Sequence, residues 1–103
     1  MRRTARLRSP LKVCVIGYGG IGPDHIDAYE QNGAQVAAVS DVRPSALAAA
    51  LDRGTSVRAY RDYRRMLAEI RPEIVSVCTW AQSHTEFVVG AARAGVKGVL
   101  CEK

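Results

Sequence analysis

The sequence predicts an α/β domain in which a parallel sheet is covered by helices on both faces. Three observations carry that expectation. Short apolar runs rich in β-branched residues alternate with helix-like stretches from residue 11 onward. No hairpin signal joins any two of these runs, so successive strands must run parallel, linked by right-handed crossovers. The first run breaks into glycines at Gly17, Gly19 and Gly22, the spacing of a strand that enters a tight turn and then a helix.

The elements follow in order. Residues 11–17 make the first strand, a buried apolar run around Val13-Cys14-Val15-Ile16. The first helix covers about residues 21–32; Pro23 is tolerated in its first turn, where no intrahelical N–H bond is lost, and Gly33 supplies the C-terminal cap. Residues 35–41 form the second strand. The second helix begins near Pro44, carries Leu47, Ala48 and Leu51 at helical spacing, and closes at Gly54. A short third strand spans residues 57–60. Asp62 caps a third helix whose Tyr63, Met66, Leu67 and Ile70 recur at i, i+3, i+4 and i+7, and Pro72 stops it. Residues 74–79 read as a fourth strand, apolar nearly throughout because both its faces are covered. Ser83 and Glu86 have capping-box spacing ahead of a fourth helix ended by Gly95, and residues 97–101 are the fifth strand. Strand order 3-2-1-4-5 follows for a doubly wound sheet, with a crevice beside the first strand and the sixth strand of the full arrangement missing.

The glycine turn has a chemical reading. Gly17 lets the chain turn sharply, Gly19 leaves room for a pyrophosphate against bare backbone, and Gly22 lets the next helix pack closely. Phosphates would then sit at a helix N-terminus, where free N–H groups and the helix dipole favour negative charge. A glycine-rich turn without ligand is the plainer alternative. Asp41 decides between them: it lies 19 residues beyond Gly22, at the end of the second apolar run, where a carboxylate accepts hydrogen bonds from an adenosine ribose. A carboxylate there favours NAD, because it would repel a 2′-phosphate; Arg43 would welcome that phosphate if it swung inward, so NADP stays open.

Bulk properties exclude other classes. At 103 residues the chain is one domain at most, read as a disordered basic tail over 1–10 and a dinucleotide-binding domain over 11–103. The formal charge is +5, and Arg2, Arg3, Arg6 and Arg8 carry four of those charges before the first strand. The remainder is nearly neutral, so no nucleic-acid face is expected. No apolar run approaches membrane-spanning length, and basic residues behind Arg2-Arg3 argue against a twin-arginine signal. Cys14, Cys78 and Cys101 each sit in a predicted strand; an odd count without C-x-x-C spacing argues for buried thiols in a reducing cytoplasm, not for disulfides or a metal site. Arg61, Arg64 and Arg65 read as a solvated face of the third helix, and His25 as a packing residue.

Further details are more specific. Gly22 is followed by x-x-His25, the fourth strand ends in Cys78-Thr79 with His84 five residues after Thr79, and the fifth ends in Val99-Leu100-Cys101-Glu102-Lys103. Together these resemble the N-terminal NAD(P)-binding Rossmann domain of the Gfo/Idh/MocA oxidoreductases, over nearly the whole chain after the tail. The resemblance implies hydride transfer between a nicotinamide and the hydroxyl-bearing carbon of a sugar or cyclitol. It also implies a second α/β domain that supplies most of the substrate site, and a homo-oligomer in the full-length form. Lys103 matches the lysine of the family's E-K-P motif, near the nicotinamide and the reacting hydroxyl, which makes it the catalytic candidate. The cofactor-binding set then comprises Gly17, Tyr18, Gly19, Gly20, Ile21, Gly22, Asp41, Val42, Arg43, Cys78, Thr79, Trp80, His84 and Glu102. The family's T-P-N loop reads Thr79-Trp80-Ala81 here, and the chain stops before the proline of E-K-P, as in an N-terminal fragment. A dinucleotide-sensing module without chemistry is the competing function.

Overall fold

The computed structural model describes residues 10–19, 22–52, 57–79 and 84–101. Residues 1–9 of the tail expected over 1–10, Gly54 as a helix stop and Ser83 as a cap lie outside them. Within them, strands β1 (Lys12–Ile16), β2 (Gln35–Ser40), β3 (Arg58–Tyr60), β4 (Ile74–Val77) and β5 (Gly98–Cys101) alternate with helices α1 (Gly22–Gln31), α2 (Pro44–Leu51), α3 (Tyr63–Ile70) and α4 (His84–Arg93). The five strands form one sheet in the order β3-β2-β1-β4-β5, and every pairing is parallel. This is the doubly wound order expected.

Alternation along the strands splits the core in two, because successive side chains point to opposite faces of a sheet. Cys14 and Ile16 join Val75, Val77 and the Tyr63, Met66, Leu67 and Ile70 stripe of α3 on one face. Val13 and Val15 join Val36, Val39, Ile26 of α1, and Ala46 and Ala50 of α2 on the other. Both faces of β1 are therefore dry, and each valine or isoleucine so buried contributes about 1.5–3 kcal/mol. Ser76 breaks the apolar run of β4 yet is fully buried. Its Oγ lies 2.6 Å from the hydroxyl of Tyr29 on α1, so the two groups satisfy each other and tie helix to sheet.

Helix ends follow local chemistry. Asp62 accepts a hydrogen bond from the Arg64 N–H at 2.9 Å, capping α3. Gly33 and Gly95 take φ of 83° and 85° just past α1 and α4, as left-handed caps. Arg71 takes φ of 53° before Pro72, donating its N–H to the Leu67 carbonyl at 3.0 Å. On the α3–α4 seam, Gly90 opens a notch for the Tyr63 ring, which meets Phe87 edge-on at 4.8 Å.

Several expectations need correction: β1 is Lys12–Ile16 and not 11–17, β2 stops at Ser40 and not at Asp41, β3 begins at Arg58 and not at Val57, and β5 begins at Gly98 and not at Lys97. β4 ends at Val77, not at Thr79, because Cys78 and Thr79 turn out of the ladder; the Cys78 N–H still reaches the Ile16 carbonyl at 2.8 Å. α1 ends at Gln31, not at Asn32, which already lies in the turn. Cys101 is exposed, unlike Cys14 and Cys78. It closes β5, whose described neighbour in the sheet is β4.

Candidate dinucleotide-binding site

After β1 the chain goes outward to β2 and β3, then crosses back to β4 on the opposite flank. The loops leaving β1 and β4 therefore diverge to opposite faces, which opens a crevice at the C-terminal ends of the strands. The candidate residues collect there. Gly17 follows β1 with φ of 94°, a conformation L side chains rarely adopt. A Cβ on it would lie 2.7 Å from Thr79 Cγ2 and 3.0 Å from the Cys78 carbonyl group. The bare α-carbon is what lets the ends of β1 and β4 close up. A Cβ on Gly22 would stand 2.9 Å from the Gly17 carbonyl oxygen, so the first turn of α1 can begin directly against the bend. Gly19 is different: within 4 Å its Cβ would meet, among the described residues, only Arg43 Nη2, at 3.4 Å. Its backbone lies open, as close approach of a pyrophosphate requires.

Asp41 follows β2 and is tied to this bend. Its Oδ2 accepts the Tyr18 N–H at 2.8 Å, and its Oδ1 accepts the Arg43 N–H at 2.9 Å. The Arg43 guanidinium grips the same carboxylate from the solvent side, Nε to Oδ1 and Nη2 to Oδ2, both at 3.0 Å. Burial pushes the Asp41 carboxyl upward, but the hydrogen bonds from Arg43 and Tyr18 outweigh it and hold the group below its usual carboxylate range. Tyr18 sends its ring into the core on the α1–α2 face and gives its N–H to Asp41. Val42 is exposed beside them.

On the β4 side, Cys78 is buried in the core, and Thr79 carries a buried hydroxyl without a hydrogen-bond partner in the described structure. An orphaned donor beside the glycine bend suits a polar ligand. His84, at the start of α4, places Nε2 2.8 Å from the Thr79 carbonyl; since a carbonyl only accepts, Nε2 carries the proton. His25 is buried in the first turn of α1, as a packing residue would be. Gly20, Ile21, Trp80, Glu102 and Lys103 lie outside the described residues. Among the described residues, no group of three or more His, Cys, Asp or Glu side chains is placed to hold a metal, and no helix is long and apolar enough to cross a membrane.

Neither Arg43 as a fork on Asp41 nor Thr79 against Gly17 was part of the sequence expectation in this form. The D-x-R spacing was the available sign of the first; the second joins residues 62 positions apart, and no sequence signal reports it.

Residues 11–103 match the family model described as the oxidoreductase family with an NAD-binding Rossmann fold, GFO_IDH_MocA. The chain belongs to this Gfo/Idh/MocA family. It is similar to the inositol 2-dehydrogenase of Paracoccus denitrificans, with 40% identity over 96 residues, covering 90% of this chain and 28% of that protein. The corresponding enzyme of Pseudomonas syringae pv. syringae is 43% identical over 98 residues at the same coverage. Among solved structures, a probable dehydrogenase from Thermotoga maritima superposes with a TM-score of 0.79 at 33% identity, covering 90% of this chain and 28% of the other. The WlbA dehydrogenase from Bordetella pertussis, in complex with NADH and UDP-GlcNAcA, superposes with a TM-score of 0.81 at 27% identity, covering 91% of this chain and 29% of that one. The chain thus spans rather less than a third of these relatives. What it carries is the family's NAD-binding Rossmann domain, and the open backbone at Gly19, the Gly17 bend, the Asp41 carboxylate and the orphaned Thr79 hydroxyl all fit the dinucleotide.

Proposed function

We propose that this domain is the cofactor half of an NAD-dependent oxidoreductase acting on the hydroxyl-bearing carbon of a sugar or cyclitol. One observation carries the reading most directly: the Tyr18 N–H to Asp41 Oδ2 bond, at 2.8 Å, locks the phosphate turn and the ribose acid into a single unit. Bare backbone at Gly19 receives the pyrophosphate and the N-terminus of α1 faces its charge. Asp41 accepts from the adenosine ribose, and the Thr79 hydroxyl finds its partner in the nicotinamide half. Bound NAD supplies the hydride acceptor. The protein positions it and excludes water from one side through the apolar ends of β1 and β4.

Lys103, by its place in the E-K motif, would donate a hydrogen bond to the substrate hydroxyl oxygen and favour loss of its proton. Relatives named as inositol 2-dehydrogenases support a cyclitol or sugar as substrate. The remaining two thirds or more of such an enzyme would supply most of the substrate site, so the 103-residue chain binds the dinucleotide without turning over substrate. The reading includes a reducing cytoplasm, which suits the thiols of Cys14, Cys78 and Cys101.

Calorimetric titration of the wild type and Asp41→Ala with NAD and NADP tests it. Loss of charge-assisted hydrogen bonds to the ribose weakens NAD by roughly 10- to 100-fold. Equal affinities in the two proteins would remove Asp41 from the ribose site. Turnover of any polyol by the chain alone would overturn the division of labour between the two halves.

A further inference from the structure

Helices α3 and α4 each cross over between parallel strands on the same face of the sheet, so they run parallel to one another. Between them lies a groove of about 690 Å³, within the size range of real binding sites. Its charges come in two levels. At the first, Arg64 of α3 and Glu86 of α4 pair across the groove at 3.6 Å. Seven residues later on each wall, about 10 Å further along, stand Arg71 and Arg93. Both are exposed, and neither has a carboxylate partner among the described residues. Glu86 is the one carboxylate among the described residues that line the groove, so two positive charges stay unanswered. Between the two levels the walls are apolar: Leu67 on α3, and Val89 on α4, which leaves 41% of its surface in water.

We propose that this groove docks an acidic amphipathic helix of a partner protein, its apolar stripe on Val89 and Leu67 and its carboxylates on Arg71 and Arg93. Two parallel helices leave a trough into which a third packs through an i, i+3, i+4 stripe. Charge selects the occupant. Residues 1–9 of this chain hold four arginines and no acid, so the groove repels them. A second copy offers Asp24, Asp27 and Glu30 on α1, but among the described residues α1 exposes no large apolar side chain to lie on Val89. A small anion is held poorly, because the Arg64 side chain is 72% exposed and a single ion pair in water is worth little. An acidic helix sums several such pairs around an apolar contact that excludes water from its centre. Arg71 and Arg93 stand where α3 and α4 end, at the opposite end of the sheet from the dinucleotide crevice, so docking there is independent of the cofactor.

The probe is a fluorescent synthetic peptide of about 15 residues, long enough to form a helix, with leucines at i, i+3, i+4 and i+7 and glutamates beside them. By anisotropy the full 103-residue chain binds it, more weakly as salt rises. The double variant Arg71→Glu with Arg93→Glu turns two attractions into repulsions and weakens binding at least about tenfold. Val89→Asp, which puts a charge on the apolar wall, weakens it as well. All three positions are exposed, so the variants fold, and matched urea unfolding curves verify that. Titration with NAD gives the same result for the double variant as for wild type, which keeps this test separate from that of the cofactor site. Equal peptide affinity in wild type and the double variant overturns the proposal, and so does the absence of binding. A twin peptide with lysine at every glutamate that binds as tightly shows that charge does not choose the partner, which is equally fatal. Citrate that displaces the peptide at micromolar concentration makes the groove a small-anion site instead. Self-association in sedimentation that the double variant abolishes makes the occupant a second copy, and either result removes the acidic helix.

Discussion

Substituting Gly17 by alanine tests the geometry on which the site depends. Two separate costs arise. The first is backbone: φ of 94° lies in the region where a Cβ meets its own chain, at about 1–2 kcal/mol. The second is packing: the new methyl would lie 2.7 Å from Thr79 Cγ2 and 3.0 Å from the Cys78 carbonyl carbon and oxygen. The latter two are backbone atoms held by the Cys78 N–H bond to Ile16 and cannot rotate away, so β4 must shift, for about 1–3 kcal/mol more. The sum, roughly 2–5 kcal/mol, is a large share of the about 5–15 kcal/mol expected of a domain this size. Urea unfolding followed by circular dichroism measures it. Gly33→Ala is the matched control: φ there is 83°, yet a Cβ would meet nothing within 4 Å, so only the backbone cost remains. If Gly17→Ala costs no more than Gly33→Ala, the crowding between the ends of β1 and β4 is not real and the argument for that glycine fails.

Three more outcomes follow from particular contacts. Gly90→Ala gains about 1 kcal/mol of helix propensity but drives a methyl to 2.7 Å from the Tyr63 hydroxyl and 2.8 Å from its Cε2, in a ring already packed on Phe87; net destabilisation of up to about 2 kcal/mol is expected, and a higher melting temperature would contradict it. Native protein should show one fast thiol, Cys101, while Cys14, whose burial pushes its thiol up to about 12, and buried Cys78 react only in denaturant; two fast thiols by Ellman titration would place one of them wrongly. The folded Asp41 carboxyl sits below its ordinary value of 3.8, so its stabilisation is present above that pH and is lost as pH falls through the depressed folded value. Wild type should therefore be more stable than Asp41→Asn at neutral pH, with the difference shrinking as pH falls below the ordinary carboxylate value of 3.8 and through the depressed folded one; a pH-independent difference would show that charge is not its source.

Much of this protein was legible from local pattern. Strand and helix types, the parallel pairing and the order β3-β2-β1-β4-β5 follow from alternation of apolar runs with helical stretches and from the absence of hairpin turns. The Asp62 cap and the left-handed Gly33 and Gly95 follow from chemistry within four residues of each position. Element ends were less legible: whether Cys78 and Thr79 stay in β4 depends on what Gly17 leaves room for, not on their own propensity.

The linear order of residues was enough to determine the class of fold, the glycine bend and the acid that belongs to it, because each depends on short-range sterics or on the spacing of one β-α-β unit. Only the tertiary structure decided that Ser76 could be buried, since its hydroxyl is answered by Tyr29 from another element 47 residues away. It also decided that Arg43 would close over Asp41 as a fork, a matter of side-chain direction at the end of β2. Such pairings are settled by which polar groups lose water together, and that is known only once the chain has brought them side by side.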